Sequence, residues 1–285
     1  MGSTDASPRA ISPEDADALV PLSAEAGWNQ TADDWRTILA AGAGEAIVGD
    51  DGRPVASACA VPLTRRSDWI CMVLVTAAAR RRGHATRLMA RQIDRIRAAG
   101  RVPGLDATEL GRPVYLQLGF VDRFTLGRFR AAAPRWPDVA AGADIRPMTR
   151  DDLTAAAAYD EAATGSARRF LLDHLLARLP AAAWIARAGG RPVGFAMGRD
   201  GRRAPQIGPV VADDPAVAAA LLSKAGRAIG GPSVVDARDG SAAFVRALEQ
   251  AGFVRERGFT RMSLGHDPAL DRTAALHAVA GPEFG

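Results

Sequence analysis

Two cysteines, one lysine and four histidines are all that 285 residues supply of those types, and each scarcity closes off a class of function. Cys59 and Cys71 are too few for a disulfide framework. His84, His174, His266 and His277 share no metal-ligand spacing, so no metal is expected. Both cysteines lie in apolar runs, where a free thiol behaves as a small hydrophobe, which points to burial in a reducing cytoplasm. Arg, Asp or Gly interrupts every Ala-rich run before the roughly 18 apolar residues that a membrane helix needs, so no membrane partner is expected. The start, Met1 to Ala6, has no basic stretch followed by an apolar core, and position 6 is not the Ser or Thr that myristoylation prefers. No export signal is read there. Lys224 is the only lysine, so the net charge of +4 comes from arginine, and no basic stripe is interleaved with aromatics. Nucleic acid is therefore not an expected partner.

What is present is ordinary globular composition, 48% hydrophobic and 24% charged. The length admits one large domain or two of roughly 140 residues. An internal repeat favours two. Gly52-Arg53-Pro54-Val55-Ala56-Ser57-Ala58 is echoed by Gly190-Arg191-Pro192-Val193-Gly194-Phe195-Ala196, each a turn followed by a small-residue strand. Helix-start signals precede both, Ser12-Pro13-Glu14-Asp15 in one half and Met148-Thr149-Arg150-Asp151-Asp152 in the other. A helical run ends at Gly119-Phe120 in the first half and at Gly252-Phe253 in the second. Ala131 to Asp138 carries two prolines and no period, which places a linker over 131–143 between domains 1–130 and 144–285. Each half reads as strand, helices, several strands, helix, strand, helix, strand: an α/β (α+β) domain with a mixed sheet.

The sharpest junction follows Trp69-Ile70-Cys71-Met72-Val73-Leu74-Val75, an apolar run that reads as a strand buried on both faces. After Thr76 to Ala79 come Arg80, Arg81, Arg82, Gly83, His84, Ala85 and Thr86, then a helix with Met89, Ile93 and Ile96 on one face, ending at Gly100. A strand feeding a small-residue turn and a helix start collects unpaired N–H groups and the positive end of a helix dipole, a recipe for phosphate. Neither the Walker pattern nor the three-glycine dinucleotide fingerprint is present.

Arg80-x-x-Gly83-x-Ala85 resembles the coenzyme A loop of the GNAT N-acetyltransferase superfamily. About thirty residues later, Tyr115-x-x-x-Gly119-Phe120 resembles the segment in which that superfamily sets a Tyr hydroxyl beside the coenzyme A sulfur. The resemblance covers residues 9–130 well. It implies two tandem GNAT-like domains, as in YitH-like bacterial acetyltransferases, each a mixed, mostly antiparallel sheet flanked by helices. It further implies acetyl-CoA as cosubstrate, backbone contacts to the thioester and pantetheine from Val73, Leu74 and Val75, pyrophosphate contacts from Arg80 to Thr86, and Tyr115 as the acid for the departing thiolate. His84, inside the phosphate loop, is not expected to act as a base. The partner it implies is a small-molecule primary amine, and the chain would be a monomer or homodimer.

The insert Gly27 to Trp35 falls where the superfamily lines its acceptor pocket, so Trp28 and Asn29 are candidate acceptor contacts; the competing reading is a helix capped by Thr31 with Trp35 packed. Asp68, Asp106 and Glu109, near strand ends, are candidates to flank the acceptor. In the second half, Ala212 to Ala219 stands where the loop should be, without glycine, and Asp213 and Asp214 would repel pyrophosphate. Leu248 takes the place of Tyr115. That half is expected to be degenerate yet to fold as a domain on Phe244, Val245 and Leu248. A fragment ending near Ala133 would keep some acetyl-CoA binding but lose solubility or acceptor turnover. The alternative function is a non-enzymatic acyl-CoA-binding or partner-binding module, which would have no need of Tyr115.

Overall fold

A computed structural model describes residues 7–285, so the Met1 to Ala6 stretch lies outside the described residues. The first half runs β1 (Arg9–Ile11), α1 (Ala16–Glu25), α2 (Ala32–Ala41), β2 (Ala43–Val48), β3 (Pro54–Pro62), β4 (Ser67–Val75), α3 (His84–Ala98), β5 (Val102–Thr108), α4 (Arg112–Gln117) and β6 (Val121–Ala131). The second runs β7 (Asp144–Pro147), α5 (Leu153–Thr164), α6 (Arg169–Arg178), β8 (Trp184–Ala188), β9 (Arg191–Arg199), β10 (Gln206–Ala212), α7 (Pro215–Ile229), β11 (Ser233–Arg238), α8 (Ala242–Gln250), β12 (Val254–Ser263) and β13 (Leu276–Val279).

The repeated helix-start signals have one physical form. Ser12 with Asp15, and Thr149 with Asp152, make capping boxes that satisfy the first amides of their helical segments. An arginine from the preceding strand, Arg9 or Arg146, braces each aspartate at 2.7 Å. In α3 the stripe of Leu88, Met89, Ile93 and Ile96 is buried against the sheet. Residues 132–143 carry no helix or strand, and they are tied to the second half chiefly through Trp136. Trp136 lies against Gly226 of α7, where a Cβ would come within 2.1 Å of its ring, and its ring sits tilted 5.4 Å from that of Phe253.

The thirteen strands of the described residues form one sheet, in the order β1-β2-β3-β4-β5-β12-β6-β11-β13-β10-β9-β8-β7. Its pairings are antiparallel except for β4 with β5 and β10 with β11. The halves interlock at its centre. β12, from the second half, pairs with β5 over Phe259–Ser263, while β6, from the first half, pairs through Leu126–Ala131 with the whole length of β11. β6 and β12 also pair with each other. Linear reading of the repeats sets the halves end to end; hydrogen bonding interleaves them. The core follows suit, joining Leu19, Trp35 and Leu126 with Leu172, Phe195 and Phe284 in one cluster, and packing Phe129 and Ala131 of β6 with Phe244 and Leu248 of α8 in another.

Candidate active site

β4 and β5 pair only where Ser67–Trp69 meets Val102–Gly104. The Trp69 ring closes that end, lying where a Cβ on Gly104 would come within 2.4 Å. Beyond it the strands part. The cause lies in β4: its register with β3 passes from Cys59↔Cys71 to Ser57↔Leu74, so Met72 and Val73 stand opposite the single Ala58. Met72 has φ 52°, a left-handed conformation that costs a non-glycine residue roughly 1–3 kcal/mol. The Ser57 hydroxyl donates to the Met72 carbonyl at 2.8 Å and helps to hold the bulge. The gap becomes an open cleft, with Ile70, Cys71, Met72 and Val73 on one wall and Leu105, Asp106 and Thr108 on the other.

Past Val75 the chain makes a turn over Ala77–Ala79 and enters α3 through Gly83, whose φ of 79° suits glycine. A Cβ at Gly83 would meet nothing within 4 Å, so the requirement there is conformational and the space above the turn is open. His84, Ala85 and Thr86 form the first turn of α3, where amides have no intrahelical acceptor. Arg80, Arg81 and Arg82 are all exposed around it. An anion is favoured here by amides, dipole and guanidinium groups together.

Tyr115, on α4, lines the cleft, its ring 6.0 Å from that of Phe120. Burial pushes its phenol above the usual value, so it holds its proton at neutral pH. Trp28 also lines the cleft. Asn29 does not. Its amide donates to the Ala204 carbonyl at 2.9 Å and its oxygen accepts the Arg203 and Ala204 N–H groups, which commits it to joining the halves instead of meeting an acceptor. The capped-helix reading of the rest of this insert is realised: Thr31 and Asp34 form a capping box, and buried Trp35 donates to Ser23. Asp68 sits at the paired, closed end of β4, bound to Arg101 at 2.7 Å, away from the cleft. Glu109 is exposed past the end of β5. Asp106 does line the cleft, but Arg261 of β12 holds it through two hydrogen bonds at 2.9 and 2.8 Å. Burial pushes its pKa up while Arg261 pulls it down, with the net direction upward.

Sequence reasoning missed the residues that close the cleft from the other half. Arg257 and Phe259 of β12 and Pro282 and Glu283 of the C-terminal tail line it, as do Gln30 and Arg128. The tail is anchored where Trp69 donates to the Pro282 carbonyl at 2.9 Å. No local signal marks these positions, because the strand exchange alone brings them there.

In the second half, β10 and β11 pair in parallel at Gln206↔Val234 and Ile207↔Val235 and then part, just as β4 and β5 do. Here β13 fills the gap, bonding to β10 at Val210↔Ala278 and to β11 at Asp236↔Val279. Asp214 caps α7 by accepting the Ala216 N–H at 2.6 Å, so a carboxylate already occupies the helix start. Leu248 is buried in the core.

Two family models match the chain. One described as the acetyltransferase (GNAT) family matches residues 14–120, and one described as an acetyltransferase (GNAT) domain matches residues 156–278. No curated protein matches. Among solved structures, the chain resembles an acetyltransferase candidate from Pyrococcus horikoshii, with TM-score 0.80 and 20% identity over 98% of this chain and 95% of that one. It also resembles a tandem GNAT protein from the clavulanic acid biosynthesis pathway, with TM-score 0.62 and 14% identity over 92% and 99% of the two chains. A GCN5-related N-acetyltransferase from Sphaerobacter thermophilus gives TM-score 0.60 and 17% identity over 90% and 94%.

Proposed function

Since the chain belongs to the GNAT acetyltransferases, as a tandem-domain acyltransferase, we propose that its first half moves an acetyl group from acetyl-CoA to the primary amine of a small molecule. One observation carries the reading: the bulged, parted stretch of β4 and Tyr115 line one open cleft, and past Val75 the same strand leads into the Gly83 turn and the N-terminus of α3. The reading takes the protein to act in a reducing cytoplasm, in keeping with two buried free thiols.

Acetyl-CoA supplies the activated thioester. The exposed arginines and the first-turn amides of α3 would hold its pyrophosphate, and the free edge of β4 over Val73, Leu74 and Val75 would hold the pantetheine amides and the thioester oxygen. Tyr115, kept protonated by burial, would give its proton to the departing thiolate. The closed gap in the second half supports a single site per chain.

Thiol release from acetyl-CoA with a panel of primary amines tests the proposal. Turnover that requires both an amine and Tyr115 is the expected result. Acetyl-CoA binding with no amine-dependent thiol release would return the chain to the class of binding modules.

A further inference from the structure

The acceptor end of the cleft carries polar groups that the protein leaves unanswered. Arg128 and Arg257 line it, and Arg261 stands behind Asp106. Arg261 has Asp106 as its bidentate partner, and Arg128 has Asp236, through bonds of 2.8 and 2.7 Å. Gln206 also donates to Asp236, at 2.7 Å, so that carboxylate is fully used. Arg257, across from Arg128 in the β12–β6 register, forms no ion pair with a carboxylate among the described residues. Its Nε is buried without a hydrogen bond, and its guanidinium rests on the Phe259 ring, 5.1 Å from the centroid. The nearest acid in sequence, Glu256, is engaged by Arg203 at 3.6 Å.

Glu283, opposite in sign, and the neutral amide Gln30 are each only 3% exposed and also line the cleft. Arg199 binds Glu283 through Oε1, while Oε2 has no hydrogen-bond partner. Gln30 Oε1 is unpartnered too. The Gln30 amide lies close enough to favour the charged form of Glu283 without making a hydrogen bond of ordinary geometry. Burial nonetheless pushes the Glu283 carboxyl above the usual range, against the pull of Arg199. Two buried acceptors and one half-buried cation without a carboxylate partner thus share a cleft with Tyr115. Polar groups left unmet in a low-dielectric cleft are costly, so a ligand that meets all three is strongly selected.

We infer that the acceptor is an amine that also carries a carboxylate, an amino acid or a close analogue, with its ammonium on Glu283 and Gln30 and its carboxylate on Arg257. This rests on the acetyl-transfer reading above and names its substrate class. Each turnover forms one C–N bond and breaks one C–S bond, and the ammonium nitrogen gives up two protons. Glu283 takes the first and passes it to solvent, which frees the nitrogen lone pair. The second restores the proton that Tyr115 gives to the thiolate. The net change is ammonium plus acetyl thioester to amide, thiol and one proton.

The test uses the full chain and matched pairs, phenylalanine against phenethylamine and leucine against 3-methylbutylamine. Thiol release is measured alongside calorimetric binding of each compound to protein saturated with coenzyme A. The amino acid of each pair is expected to be favoured at least 10-fold. Arg257→Gln should bring the ratio close to one, and Arg257→Lys should keep part of it. Glu283→Gln should lower kcat for both members. Coenzyme A binding by each variant reports that it has folded. Equal response to the two members of each pair, in turnover or in binding, overturns this inference and leaves acetyl transfer standing. Failure of the wild-type chain to bind acetyl-CoA at all overturns both.

Discussion

Tyr115 and Asn29 were marked by the same kind of reasoning, a polar residue at a suggestive place, and the structure separates them by what their polar atoms touch. Tyr115 faces the cleft with a protonated phenol. Tyr115→Phe removes one hydroxyl and leaves the ring packed on Phe120, so turnover should fall about 10²–10⁴-fold with little change in acetyl-CoA affinity. A Phe variant with wild-type kcat would reduce Tyr115 to a packing residue. Asn29 instead answers three backbone groups of the 203–204 turn. Asn29→Ala leaves them buried and unpaired, for a loss of roughly 1–3 kcal/mol each at most. A lowered Tm with an unchanged acceptor KM is the expected pattern, and a raised KM at unchanged Tm would return Asn29 to the acceptor site.

At the scale of elements, the function hangs on how β4 ends. Gly83→Glu places a side chain on a left-handed φ of 79° and a negative charge at the helix start, so calorimetry should find coenzyme A binding lost, against one site per chain in the wild type. Two sites in the wild type would mean that β13 yields its gap in the second half. This loop was legible in the sequence because strand, turn and helix are contiguous, and its chemistry lies in the backbone that those residues dictate. The capping boxes were legible for the same reason. The bulge at Met72 was not, since no residue type advertises a left-handed methionine; a cross-strand hydroxyl from Ser57 holds it. Asp68 was misjudged because a carboxylate near a strand end looks alike whether it faces a ligand or, as here, Arg101. Nor does anything in Leu276–Val279 announce that this short strand plugs one cleft while its tail completes the other. Ser57→Ala should loosen the bulge at a cost of about 0.5–1.5 kcal/mol and weaken acetyl-CoA binding more than it lowers Tm. Equal small losses in both would assign Ser57 to stability alone.

For the whole molecule, the repeat read from the sequence is real, but it describes ancestry of pattern more than units of folding. β6 finds its partners, β12 and β11, only in the second half, and β5 gains its second neighbour only from β12. A fragment ending near Ala133 therefore keeps the Gly83 loop and Tyr115 but leaves β6 without a ladder, exposes the edge of β5 and loses Arg257 and Glu283. Unpaired edges of that length invite aggregation. The shared apolar cluster adds the same constraint, since Trp35 and Leu19 pack with Phe195 and Phe284. Ion pairs cross the boundary as well: burial pushes the Asp34 carboxyl up, yet Arg199 and Arg178 more than offset it and hold it below the usual range. Sign follows from that direction. A carboxyl lowered on folding stabilises above its unfolded pKa of about 3.9, and its contribution fades as pH falls through and below that value. The intact chain should accordingly unfold in one calorimetric transition at neutral pH, with van 't Hoff and calorimetric enthalpies equal. The 1–133 fragment should show no cooperative transition by itself and, against the sequence-based expectation that it keeps some acetyl-CoA binding, should bind coenzyme A only when mixed with a 134–285 fragment. Two resolved transitions in the intact chain, or cooperative unfolding of the lone fragment, would mean that the exchanged strands are dispensable and that each half stands as a domain in its own right.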